Sequence, residues 1–556
     1  MTGAAGRVED WFLTAEERGN PATSTSAWTE GNLAEPLIHG ASYYTRLLQA
    51  LRTLRPGDQL AIADWRGDAD QLLDGPGSEL GRILCDLAER GVGVRGLLWR
   101  SHPSRAHFNE EQNRHLGEIV NQAGGQILLD ERVRGPGSQH QKLVLLRHDG
   151  REDLDVAFLG GIDLCHGRRD DERHLGDPQS TPMDERYGPR PPWHDVQLEV
   201  RGPAIGDLSI TFRERWEDPT PLDHHNPWRA RLTRKVHQPR HPDPLPPVLR
   251  DPAPVERAGE RSDAVHGRTP AEAEAEPAGT HAVQILRTYP AKRHPLPFAP
   301  EGERSVARAY SKALSRAHRF VYLEDQYLWS AEIAQVLVVA LRRAPQLRLV
   351  AVVPRYPDQD GPFTGPPNRI GQQTALDQVK AAGGDRVAVF DLENEQGTPV
   401  YVHAKVCVID DVWAAVGSDN LNRRSWTNDS ELTAAVLDPT LDRRLPADPA
   451  GLGDGARVFA RELRLTLWRE HLGFGPDDDP APLLDPERGF QLWRDRAAAL
   501  EAWHRAGRTG PRPPGRIRDH RPGRVQPWAV WWAWPLYKTI VDPDGRPRFL
   551  RRTGKF

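Results

Sequence analysis

The chain is expected to be an α/β protein made of two similar α-β-α sandwich domains, an intramolecular pseudo-dimer with its active site where the domains meet. Three observations point this way. Stretches of helical periodicity alternate with short apolar strands, the pattern of layered α/β folds. The alternation occurs twice: "YYTRLLQALRTLRPGDQLAIADWRGD" is echoed by "SVARAYSKALSRAHRFVYLEDQYLWS", and "HQKLVLL" by "VHAKVCVID". The spacing agrees, 76 residues from Asp64 to His140 against 79 from Glu324 to His403.

In chain order, residues 1–30 form an N-terminal segment and residues 31–236 the first repeat. The repeat runs through the buried-looking strand of "RGVGVRGLLWRS" and closes on the helical "IGDLSITFRERW". Residues 237–280 are rich in Pro, Arg, Glu and Ala and lack aromatic residues, so they read as a disordered linker with too little apolar surface to fix itself. Residues 281–476 are the second repeat, with "APQLRLVAVVPRY" and the closing helix "RELRLTLWREHLG". Residues 477–556 have no counterpart in the first half. They carry four Trp between Trp528 and Trp534, read either as rings docked on the body or as rings seated at a lipid headgroup level.

Composition narrows the function. The 556 residues hold 74 basic and 78 acidic side chains, a net charge of −4, without the basic excess usual for a nucleic-acid partner. Cys85, Cys165 and Cys407 provide neither a disulfide framework nor a CxxC metal spacing. The first residues are charged where a secretory signal would be apolar, and no run of about 18 apolar residues occurs. A soluble cytoplasmic protein, at most peripheral at a membrane, is expected.

The chemistry sits in two HxK sites. On a strand, His403 and Lys405 face one side and Ala404 the other; His140 and Lys142 repeat this around Gln141. Two such strands facing each other offer two imidazoles and two cations to one cleft, a set that suits a phosphodiester. The lysines hold the non-bridging oxygens, one imidazole attacks phosphorus and the other protonates the leaving alcohol. The logic requires no cofactor and no metal. The other histidines, His166, His174, His194, His237 and His241, show no zinc-like or facial-triad spacing.

The stretch "HAKVCVIDDVWAAVGSDNLN" resembles the phospholipase D superfamily signature HxKxxxxD, followed by a Gly-Gly or Gly-Ser step and an Asn. It matches at His403, Lys405, Asp410, Gly417, Ser418 and Asn420. "DVAFLGGIDLCHGRRDD", "PWHDVQLEV" and "VYLEDQYLWS" are similar to true phospholipases D, and the likeness runs from Ile38 to His471 apart from the linker. The first half departs from the signature: Arg147 stands where the motif acid belongs, and about six extra residues, "RHDGRED", read as a longer turn at Asp149-Gly150. Removing six residues sets Asp153 opposite Asp410 as a structural acid of the hairpin. Asp163 stands where the second half has Asn420.

The resemblance implies a catalytic set of His140, Lys142, His403 and Lys405, with His140 the usual nucleophile. It implies that Asp195 orients His140 and Glu431 orients His403, and it puts Asn420, Ser418, Gly161 and Asp163 on the substrate side. Arg168, Arg169, Asp170 and Asp171 line the cleft rim or pair with one another. The implied activity is hydrolysis of the distal phosphodiester of a glycerophospholipid through a phosphohistidine, with water or a small alcohol as acceptor, by a monomer at a membrane surface. The alternatives are a phosphatidyltransferase of the cardiolipin-synthase type or a nuclease of the same superfamily, and behind them a catalytically silent lipid-binding protein.

Overall fold

A computed structural model describes residues 7–100, 110–223, 238–256, 279–358, 365–475, 477–553 and 555–556. The first half contributes β1 (Thr29–Ile38), β2 (Gln59–Asp64), β3 (Gly93–Trp99), β4 (Gln126–Asp130), β5 (Leu143–Arg147), β6 (Val156–Gly160), β7 (Trp193–His194) and β8 (Val196–Arg201). The second contributes β9 (His281–Tyr289), β10 (Glu303–Arg304), β11 (Phe320–Glu324), β12 (Arg348–Val352), β13 (Val387–Glu393), β14 (Pro399–Val402), β15 (Val406–Ile409), β16 (Trp413–Gly417) and β17 (Glu431–Leu437). A last strand, β18 (Ile517–Asp519), comes from the C-terminal region.

The strands pair in the same order in both halves. In the first, β1, β8, β6, β5 and β2 are antiparallel neighbours, and β2, β3 and β4 continue in parallel. In the second, β9, β17, β16, β15 and β11 are antiparallel, and β11, β12 and β13 are parallel. The parallel pairs need crossovers, which the helices supply. β1 also pairs with β9, joining the two series edge to edge. Near-continuous apolar runs such as LVLLR and VCVI are buried throughout, as expected of strands covered on both faces.

One face of the first series packs on helices Gly40–Leu51, Leu80–Glu89 and Glu110–Gln122, through residues such as Tyr44, Leu84 and Val120. One face of the second packs on Ser305–Arg316, Ala331–Arg343 and Gly365–Gly383. The remaining faces share a third core with the Trp-bearing helices Ala204–Trp216 and Val458–Leu472.

The termini dock on the second half. Trp11, Phe12 and Leu13 enter its core. Phe490 and Trp493 of helix Pro486–Arg505 enter the shared core, and β18 pairs with β13. The helix Pro527–Leu536 buries Ala529 and Ala533 and is followed by buried Tyr537, a stripe at four-residue spacing, while Trp528 and Trp531 are 68% and 76% exposed. Among the described residues, no helix is long and apolar enough to cross a membrane.

The segment read as linker differs from that expectation where it is described. Residues 238–256 form no helix or strand, yet Gln238 bonds both backbone groups of Leu129, and Trp216 donates its indole N–H to the Asp243 carbonyl. Residues 257–278, and His237, lie outside the described residues.

Arg147 explains part of this docking. It occupies the ladder position opposite Gln59 that Asp410 occupies beside Phe320. Asp410 accepts the backbone N–H groups of His318, Arg319 and Phe320 at 2.7, 2.8 and 2.8 Å, tying the start of β11 to the end of β15. Arg147 cannot accept. It donates instead to Asp155 at 2.7 Å and to the carbonyls of Leu249 and Arg250 at 3.3 and 2.7 Å. The acid expected at Asp153 is therefore Asp155, which also accepts the His148 backbone N–H at 2.6 Å, while Asp153 lies exposed on the turn. Restoring the motif acid by Arg147→Asp should cost about 3 kcal/mol in urea unfolding, because it leaves Asp155 buried beside a second carboxylate. It should also speed protease cleavage within residues 238–256; an unchanged midpoint and digestion pattern would refute this account.

Candidate active site

Each HxK pair sits at a strand entrance, just before β5 or β15 begins, and not within the ladder. Each lysine folds back onto its own motif: Lys142 Nζ donates to the His140 carbonyl at 3.1 Å, and Lys405 Nζ donates to that of His403. The backbones of the two halves interlock here. His140 N–H bonds the Ser430 carbonyl at 2.9 Å and His403 N–H bonds the His194 carbonyl at 2.8 Å, flanked by parallel pairings of Gln139 with Ser430 and of Val402 with His194.

That interlock crosses the carboxylates, which corrects the assignment read from the sequence. Asp195 bonds His403 Nδ1 at 2.7 Å, and Glu431 bonds His140 Nδ1 at 2.9 Å. Each half thus orients the imidazole of the other. Repeat alignment shows that Asp195 and Glu431 are equivalent, but it cannot show whether the bond runs within a half or across. A carboxylate at Nδ1 leaves Nε2 as the free ring nitrogen.

Burial first, then the charges of Lys142 and Lys405, hold the pKa of His140 well below the usual imidazole value. Burial, then Lys405 and Arg168, does the same to His403, which also feels Lys142. Both imidazoles therefore lie in the field of both lysines. Burial raises Asp195, and burial with the nearby Asp429 pushes Glu431 up to about 8. Burial also brings Lys405 down to about 8.

The remaining expected residues gather here with distinct jobs. Ser418 donates its hydroxyl to Glu431 at 2.6 Å, and its carbonyl lies 3.1 Å from His140 Nδ1. Gly161 is its counterpart, and a Cβ there would stand 2.0 Å from Asp195 Oδ1, so the first half has no room for the same hydroxyl. Asp163 lies 3.0 Å from Lys142 and 3.2 Å from Arg168, whose charges hold it well below the carboxylate range against burial. Asn420 keeps a buried Oδ1 with no partner among the described residues.

Sequence reading missed part of the frame. Arg168, expected at the cleft rim or paired with its neighbours, reaches into the site itself: its guanidinium lies 4.0 Å over Trp193, whose ring lies 4.9 Å from that of His403. Asp64 and Asp325 are equivalent pins, accepting the backbone N–H groups of Leu164 at 3.2 Å and Leu421 at 2.8 Å, one residue beyond Asp163 and Asn420. Aligning "IADW" with "LEDQ" puts these two acids together, the signal that could have found them.

Comparison with known proteins follows the same two halves. Residues 62–238 match the family model described as Phospholipase D, and residues 310–447 the one described as Cardiolipin synthase, PLD-like domain. The chain is 25% identical to phospholipase D alpha 1 of Zea mays, over 72% of this chain and 59% of the maize protein. It is 26% identical to phospholipase D1 of Saccharomyces cerevisiae, over 79% of this chain and 29% of the yeast protein. The chain thus spans under two thirds of the length of these relatives. The solved phosphatidylserine synthase of Haemophilus influenzae Rd KW20 is 14% identical, with a TM-score of 0.45 over 73% of this chain and 82% of that one.

Gly161→Ser should cost about 2 kcal/mol in urea unfolding, since the new side chain must displace a buried carboxylate. A variant as stable as the parent would show that Asp195 can move freely.

Proposed function

Because the chain belongs to the phospholipase D superfamily, we propose that it is a phosphodiesterase that cleaves the distal phosphodiester of glycerophospholipids at a membrane surface. The observation that carries this reading is the crossed pair of carboxylate-oriented histidines, each in the field of both lysines. Such a site lies where the halves interlock, so the molecule works as an intramolecular pseudo-dimer.

In this mechanism Lys142 and Lys405 take the non-bridging oxygens and stabilise the five-coordinate transition state. His140 Nε2 attacks phosphorus. The His140 side chain is 15% exposed and that of His403 6%, which favours His140 as the nucleophile. As the P–O bond to the headgroup breaks, the Asp195–His403 pair, in which burial raises the carboxyl so that it shares a proton with Nδ1 and leaves another on Nε2, gives the Nε2 proton to the leaving oxygen. The product is phosphatidyl-His140 and a free alcohol. His403, now neutral, takes a proton from water, and the hydroxide oxygen displaces His140 to give phosphatidate. A small alcohol in place of water gives transphosphatidylation.

The exposed rings of Trp528 and Trp531 suit contact with a headgroup layer. The second family model, described as Cardiolipin synthase, PLD-like domain, supports an alternative in which a lipid alcohol is the main acceptor.

Purified protein is expected to form phosphatidate from phosphatidylcholine, phosphatidylethanolamine or phosphatidylglycerol vesicles, and phosphatidylethanol when ethanol is added. His140→Ala and His403→Ala should each reduce both products by at least about 10³-fold, as loss of a group acting in a unit does. No product from any of the lipids would sink the proposal.

The pH dependence tests the Glu431–His140 pair. Below about 8 the buried pair keeps an extra proton that occupies the attacking nitrogen, so kcat/KM should rise as pH rises through this limb. The Ser418 hydroxyl stabilises the ionised carboxylate and so lowers the limb. Ser418→Ala should move it to higher pH by about one unit, the worth of one hydrogen bond to a charge. A limb that stays in place, or moves to lower pH, would contradict this role.

A further inference from the structure

Behind His403 lies a second cluster of titratable groups that the chemistry above does not use. His39, His174, His194 and Glu470 come from the first repeat's start, a loop, β7 and the helix Val458–Leu472. Glu470 receives His39 Nε2 on one oxygen at 2.8 Å and His174 Nε2 on the other at 2.9 Å. His194 Nδ1 lies 3.7 Å from Glu470 Oε1 and has no hydrogen-bond partner among the described residues, although His194 is 0% exposed.

We propose that His39, His174, His194 and Glu470 form a four-ligand zinc site that braces β7, the strand leading directly into Asp195. The four donor atoms all lie within 4.8 Å of one another. A tetrahedral zinc with bonds of about 2.0–2.1 Å sets its donors roughly 3.3 Å apart, and the contacts to Glu470 fall on either side of that value. Two of the three histidines also have fitting outer partners, while His39 Nδ1 is buried with none among the described residues. His174 Nδ1 bonds the Trp193 carbonyl at 3.1 Å and His194 Nε2 bonds Glu324 at 2.7 Å, so each ring gives its proton away from the cluster and turns a lone pair into it. Glu324 is itself held by His471 Nε2 at 2.7 Å. Three nitrogens and one carboxylate oxygen suit zinc better than calcium or magnesium. Four protein donors leave no open position, the mark of a structural ion.

The consequence reaches the reaction site through the backbone. Trp193 packs its ring against His403 at a tilt of 37°, His194 is a ligand, and Asp195 orients His403. The ligands at 39, 174, 194 and 470 lie too far apart in sequence for spacing to reveal them.

The test uses the full chain, purified with its affinity tag removed. Elemental analysis is expected to find about one zinc per chain, and His39→Ala, at the edge of the cluster, should lose it while remaining folded by circular dichroism. Wild-type protein stripped with chelator should melt several degrees lower, recover with zinc sulfate and not with magnesium or calcium, and with cobalt show the intense visible bands of a tetrahedral site. Protein that carries no metal, and that when stripped melts at the same temperature with or without zinc, would overturn the site and leave a proton-bridged network. Metal content is read without lipid, so zinc in a protein that cleaves no phospholipid would sink the proposed activity and leave this site standing.

Discussion

An imidazole buried beside two ammonium groups keeps neither its orientation nor the right tautomer unless an acceptor takes one of its ring protons. Here the acceptor comes from the opposite half in both cases, Asp195 for His403 and Glu431 for His140. Most of the architecture can be read as what is needed to bring these pairs together. The edge strands β1 and β9 join the two series, β7 lies along β14, and Gln139 along Ser430. Removing one carboxylate would leave a buried imidazole nitrogen without its partner, a loss of about 1–3 kcal/mol.

The two halves repeat the frame and differ in how they complete it. Asp410 ties β11 to β15 by accepting three backbone N–H groups. The first half has Arg147 at that point and spends it on Asp155 and on the chain at Leu249 and Arg250. Ser418 gives Glu431 a hydroxyl, whereas Gly161 leaves Asp195 only space. The two histidines therefore differ in their environments even though their backbones match. Such inequality is what a two-step reaction needs when one nitrogen must attack and the other must carry a proton.

The repeat, the alternation of helices and strands and the residues around the HxK pairs were legible in the sequence, because strand patterning and motif spacing are local quantities. What was not legible depends on how distant segments meet. The direction of the Asp195 and Glu431 bonds could not be read from an alignment that treats the halves as equivalent. Asp155 was missed in favour of Asp153, because counting back an insertion fixes a length and not which carboxylate faces inward. Residues 238–256 were read as unable to fix themselves on composition alone, yet their backbone carbonyls are useful to Arg147 and Trp216 whatever their side chains. In the Trp-rich tail small residues, not rings, make the packing stripe, which ring counting could not show, and Trp528 and Trp531 stay exposed.

The crossed bonds also shape how such a protein can evolve. His140 and Glu431 are 291 positions apart, and His403 and Asp195 are 208 apart. A change at either acid must be answered in the other half of the gene. The halves descend as one inheritable unit even though each looks like a module, and recombination that exchanged a single half for a distant cousin would break two fits at once. In an alignment of descendants, covariation should therefore link the halves across the linker more strongly than it links each histidine to the acid of its own repeat.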